Sequence, residues 1–215
     1  MKRWVHEPKE MDLSNLKIVS IAVADDSRTA DPRNYTAMGI DANINSVWFV
    51  TADDESENCC INVEGYEKPM RGRSAMICLK EEDSRIYVMC KPNEDDYGVP
   101  GGGWNLGESL KDAALRELHE ETFTDAENIV RIGTLIEYHE EVKDWVKEHV
   151  SDPDDWWYGY YSAIFVGTYA GEFYGQVAEE DRESGYRWEL LDNVEDQFPV
   201  EYRNAIHDYL ERSYT

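Results

Sequence analysis

The stretch GGGWNLGESLKDAALRELHEETFT, residues 101–124, decides how the rest of the chain is read. Its three glycines form a loop, and Leu110, Ala114 and Leu118 then recur at helical spacing, so the loop feeds an amphipathic helix. Ser109 stands where an N-cap belongs, with Asp112 at the position that a capping box gives to Glu. The other side of the helix carries Glu117, Glu120 and Glu121. Neighbours on a helix surface lie three and four residues apart, so Glu117 is beside both of the others. Like charges crowded in this way repel unless a cation joins them.

Magnesium suits such a cluster, because it is a hard cation that takes carboxylate oxygens and bridges to substrate phosphates. A glutamate-rich helix is ordinarily just a solvated face. What sets this one apart is register: Gly102, Glu108, Arg116, Glu117, Leu118, Glu120 and Glu121 all fall at fixed offsets. The pattern resembles the Nudix hydrolase signature, in which a glycine, five residues, a glutamate and seven residues precede Arg-Glu-aliphatic-x-Glu-Glu-x-Gly-aliphatic. Seven positions match, and Phe123 and Thr124 replace the final glycine and aliphatic residue. That glycine would take the left-handed turn that ends the helix, so the cap is expected to be built differently here.

The resemblance implies an α/β fold, a Nudix-type α/β/α sandwich with a mixed central sheet. It implies Mg2+ or Mn2+ held by Glu117, Glu120 and Glu121 with the Gly102 carbonyl. It also implies water attack on a pyrophosphate bond of a nucleoside diphosphate linked to another group. Arg116 and Glu108 are expected to form a structural ion pair that fixes the carboxylates. Family members often recruit a further glutamate ahead of a late strand, which singles out Glu180 and Glu183 as metal ligand or general base. Trp104 is the expected substrate contact. Trp156, Trp157, Tyr158, Tyr160 and Tyr161 offer faces for stacking on a base, or simply suit a half-buried strand. The signals for ADP-ribose, dinucleoside polyphosphate or coenzyme A hydrolases are absent around the box, so no substrate is singled out. The rival readings are a Nudix-like sensor that binds a nucleotide without cleaving it, and an acidic interaction protein.

The whole chain has 215 residues, enough for one good-sized domain with an extension. Its 46 acidic against 21 basic residues give a net charge of −25, which repels nucleic acid and also any free nucleotide not escorted by a divalent ion. Cys59, Cys60, Cys78 and Cys90 show no CxxC spacing and read as reduced thiols, hence a cytoplasmic protein. No signal-peptide core or membrane-length apolar run is evident.

Residues 1–70 read as a strand-rich extension with runs at 18–23, 47–51 and 60–63, which either packs on the rest of the chain or forms a homodimer surface. Residues 71–215 read as the hydrolase domain. It begins with a hairpin, 75–80 and 86–91, around the turn EEDSR. Further strands are expected at 129–138, 162–169 and 186–190, and helices at 140–150 and 198–210. The first of those helices is a candidate lid, or plain packing.

Overall fold

In the computed structural model of the chain, residues 2–6, 44–51, 57–63, 65–67, 70–93, 96–105, 108–138, 159–176 and 185–213 are described. The strands are β1 (Lys2–His6), β2 (Ile44–Thr51), β3 (Glu57–Val63), β4 (Met70–Glu82), β5 (Arg85–Pro92), β6 (Tyr97–Gly98), β7 (Gly101–Gly103), β8 (Thr124–Tyr138), β9 (Gly159–Glu172) and β10 (Arg187–Leu190). Helix α1 spans Leu110–Thr122, α2 spans Leu191–Val194, a 3-10 turn follows at Glu195–Gln197, and α3 spans Val200–Ser213.

The core of the sheet is written in two apolar runs, Ala-Met-Ile-Cys-Leu at 75–79 and Ala-Ile-Phe-Val at 163–166. Continuous rather than alternating hydrophobicity marks a strand covered on both faces. These runs lie side by side, because β4 and β9 pair in parallel from Arg71↔Tyr160 to Leu79↔Thr168. The other pairings are antiparallel, and the main path runs β1-β8-β9-β4-β3-β2. Along its other edge β4 meets three partners in turn: β3 at Met70 and Arg71, β7 at Arg73 to Ala75, and β5 from Leu79 to Glu82. The expected hairpin is β4–β5, closed by Asp83 and Ser84 at φ 53° and 58°, the conformation that matches strand twist in a two-residue loop.

Even-numbered residues of β4 face one way and odd-numbered the other, which divides the core into two layers. Met76, Cys78, Ala163 and Phe165 pack against Leu110, Ala113, Ala114 and Leu118 of α1. Ala75, Ile77, Ile164 and Val166 pack against Leu191, Val194, Phe198, Ala205, Ile206 and Tyr209 of the C-terminal elements. The result is an α/β/α sandwich around a mixed sheet.

The described part of residues 1–70 continues this sheet: β1 pairs with β8, and the β2–β3 pair joins β4. The strand expected at 18–23, the helix expected at 140–150, and Trp156, Trp157 and Tyr158 lie outside the described residues. Among the described residues, no helix is long and apolar enough to cross a membrane.

Candidate active site

Helix α1 begins where its sequence says it should. Ser109 Oγ accepts the Asp112 N–H at 3.0 Å and Asp112 Oδ2 accepts the Ser109 N–H at 3.2 Å, a reciprocal capping box with Asp in the place of Glu. Burial of Leu110, Ala113, Ala114 and Leu118 then fixes the rotation of the helix about its axis. That rotation brings Glu117 and Glu121 under the glycines of β7, with Arg116 and Glu120 at the side.

Arg116 is the hub. Its Nε and Nη2 fork onto the two oxygens of Glu108 at 3.1 and 3.0 Å, and its Nη1 donates to Glu117 and Glu120, each at 2.8 Å. Nη2 also reaches the Gly103 carbonyl at 2.7 Å, so one guanidinium ties the helix to β7. Glu108 is held in turn by the Asn105 N–H at 2.7 Å. Glu121 accepts the Gly101 N–H at 2.9 Å.

The glycines are needed for space. A Cβ on Gly102 would fall 2.4 Å from all three carboxyl atoms of Glu117, and one on Gly101 would strike Ala75 and the Ser74 carbonyl at 2.7 Å. A cradle for a carboxylate has been left under the loop.

Electrostatics follow from this enclosure. Burial pushes the Glu117 carboxyl above its ordinary pKa, and the neighbouring Glu120 and Glu108 charges push the same way, against the pull of Arg116. Burial alone would lower the pKa of Arg116, but the Glu108 hydrogen bonds and the three carboxylates outweigh it and hold the guanidinium firmly charged. Among the described residues, no three His, Cys, Asp or Glu side chains close into a metal-holding cluster. Arg116 instead lies between the carboxylates and offsets their repulsion.

The structure brings together Gly102, Glu108, Arg116, Glu117, Glu120 and Glu121. Glu180 and Glu183 lie outside the described residues. Trp104, expected at the substrate, is instead a core residue: it is 1% exposed, and its Nε1–H donates to the Glu108 carbonyl at 3.1 Å. An indole this large beside a glycine loop gains more by burial than by waiting in solvent. Tyr161 is likewise buried, its hydroxyl accepting from Arg131 at 3.1 Å, and Tyr160 lies half-buried with the Arg73 guanidinium 5.1 Å from its ring centre.

The end of α1 holds what sequence reading missed. Phe123 itself adopts the left-handed conformation, φ 53° and ψ 29°, so the cap keeps the backbone path that glycine would have taken. The ring of Phe173 stacks on His119, with centroids 3.8 Å apart and planes 3° from parallel. Beside this stack is a groove of about 300 Å³ lined by Asp112, Arg116, His119, Glu120, Phe173 and Gln176. Only the substitution at the signature glycine pointed to this corner.

A family model described as NUDIX domain matches residues 70–209. The chain is similar to an RNA pyrophosphohydrolase of Wolbachia sp. subsp. Brugia malayi (strain TRS), 27% identical over 128 residues, covering 55% of this chain and 74% of that one. It is also similar to Nudix hydrolase 27, chloroplastic, of Arabidopsis thaliana, 39% identical over 84 residues, or 37% of this chain and 35% of that one. Among solved structures it resembles the NUDIX domain of Shewanella oneidensis NrtR complexed with ADP ribose, at 17% identity and a TM-score of 0.45, covering 65% of this chain and 87% of that chain.

Proposed function

The chain belongs to the Nudix family, and on that premise we propose that it is a Mg2+- or Mn2+-dependent hydrolase of a nucleoside diphosphate linked to another moiety. The observation that carries this reading is the convergence of Glu117 and Glu120 on one positive centre, each 2.8 Å from Arg116 Nη1, with the Glu117 carboxylate directly beneath Gly102. Carboxylates that already gather around a cation, with hard oxygen donors only, have the chemistry that Mg2+ or Mn2+ selects. Glu117, Glu120, Glu121 and the Gly102 carbonyl would hold the ion. When bound, it neutralises the diphosphate and lowers the pKa of the attacking water.

The chain's own residues do the positioning. Arg116 and Glu108 brace the carboxylates against one another, so that little reorganisation is left for the moment of reaction. Glu121, tethered to the Gly101 N–H, ties the helix to the loop that faces the diphosphate. Glu180 and Glu183 are the candidates for accepting the water's proton. Residues 71–215 constitute the hydrolase domain in this reading, and residues 1–70 an extension that serves a homodimer. Buried free thiols at Cys78 and Cys90 fit a reducing, cytoplasmic setting.

The test is a substrate panel with Mg2+ or Mn2+: nucleotide sugars, dinucleotides, nucleoside triphosphates and an RNA with a terminal pyrophosphate. Release of phosphate or nucleotide from at least one non-polymeric member is expected, because a net charge of −25 opposes a long polyanion. Turnover of the RNA alone would overturn the small-substrate reading. Tight binding with no turnover of any member would favour the sensor.

A further inference from the structure

The end of α1 is where this chain departs from the Nudix signature, and residues of the segment that follows β9 answer the departure. A left-handed conformation strains a non-glycine residue and persists only where its surroundings enforce it. At Phe123 the surroundings are specific. Its N–H donates to the His119 carbonyl at 3.0 Å, and its own carbonyl accepts the Phe173 N–H at 2.8 Å. The ring of Phe173 lies flat on His119, whose Nε2 is 3.0 Å from Asp125 Oδ1. Beyond that ring, a Cβ on Gly175 would fall 2.1 Å from Phe173 Cζ, so the glycine keeps open the space the ring fills.

These contacts close around the residue two positions after Glu121 and three after Glu120. Helix ends fray within their last turn, and a fraying end would carry both carboxylates with it. We propose that Phe173 is a positioning residue: by stacking on His119 and bonding the Phe123 carbonyl it locks the non-glycine cap of α1, and thereby sets the backbone that presents Glu120 and Glu121 to a divalent ion. The proposal rests on the reading of those two glutamates as metal ligands. It makes metal affinity depend on a residue outside the carboxylate cluster.

Mn2+ binding to the whole protein, followed by electron spin resonance of the free ion, tests this without any turnover. Phe173→Ala and Gly175→Ala are expected to weaken Mn2+ binding about tenfold, the scale seen when an outer partner of a ligand is removed. In a Phe123→Gly background, where the left-handed cap needs no enforcement, Phe173→Ala is expected to cost less than about twofold. Thermal unfolding of the metal-free variants identifies those that are folded. Should Phe173→Ala not fold, Phe173→Leu and Gly175→Ala carry the same comparison.

Unchanged Mn2+ affinity in folded Phe173 and Gly175 variants overturns the proposal. So does a loss that persists undiminished beside Gly at 123, since that is the mark of ordinary packing. Failure of the unaltered protein to take up Mn2+ sinks the metal reading itself, and the proposal with it.

Discussion

The two faces of the sheet are held in different ways. On the C-terminal face, Leu191, Val194, Phe198, Ala205, Ile206 and Tyr209 close over Ala75, Ile77, Ile164 and Val166, and apolar burial does the holding. On the other face α1 is seated by a comparable apolar stripe, but one side of it is clasped by charge: Arg116 with Glu108, Glu117 and Glu120, at 13–27% exposure. Half-buried like charges are costly to gather, and a single guanidinium can offset but not erase that cost. One face is built for stability, and the other holds the groups proposed above to bind a divalent ion.

Substitutions should separate the two. The largest effect is expected at Glu120→Gln and Glu121→Gln, each lowering turnover by orders of magnitude while the unfolding midpoint stays near that of the unaltered protein, because relieving repulsion does not unfold the helix. Steady-state kinetics beside calorimetry checks both halves of that statement. A large fall in Tm with unchanged kcat would reverse the assignment of the faces.

Ile206→Ala, on the other face, is the converse. Ile206 is 1% exposed, and its truncation should cost about 2–5 kcal/mol in urea unfolding with kcat/KM unchanged at temperatures where the variant is folded. Arg116→Met comes next. It strips three carboxylates of their partner, for about 2–3 kcal/mol once partial exposure is discounted. Added Mg2+ should recover part of that loss if a divalent ion can take over the missing charge, and denaturation with Mg2+ or with a chelator reads the difference.

The smallest effect is one the faces should share. Each buries a free thiol, Cys78 under α1 and Cys90 under the C-terminal elements, and burial pushes both up to about 12. A group whose pKa is raised by folding stabilises below its unfolded value, near 8.5 for a thiol, and that contribution is lost as pH climbs toward the folded value. Unfolding free energy should therefore decline between about pH 9 and 12, and less so in a Cys78→Ala, Cys90→Ala variant. With Cys59 and Cys60 replaced by serine, thiol reagents at pH 8 should label the native protein only at the rate of unfolding. Fast labelling of one thiol would show that its face is wet.

How much of this could be read beforehand depended on whether local signals agreed. Around α1 they did: the cap, the 3.6-residue spacing and the offset glycines pointed one way, so the helix and its carboxylates were legible down to the pairing of Arg116 with Glu108. The sequence marks β4 only at 75–80, because only there is it apolar. Its first residues, Met-Arg-Gly-Arg-Ser, earn their strand conformation from partners in β3, β7 and β9 that no local window contains. The sequence marks β8 only at 129–138 for a similar reason, since Asn128 at φ 53° interrupts the alternation of its earlier residues. The burial of Trp104 is not legible, because an aromatic residue beside a run of glycines looks the same in sequence whether it faces in or out. The cap at Phe123 depends on Phe173, fifty residues along the chain, and a pairing so distant leaves no periodic trace.

The handover along β4 carries a lesson about lineage. Because that one strand measures out β3, the glycines of β7 and the β5 hairpin in succession, gaining or dropping a single codon within it would shift every later partner by about 3.3 Å and reverse which layer each side chain enters. Length variation among descendants of this chain should therefore collect in its connecting segments, while the thirteen positions from Met70 to Glu82 keep their number even where their identities drift.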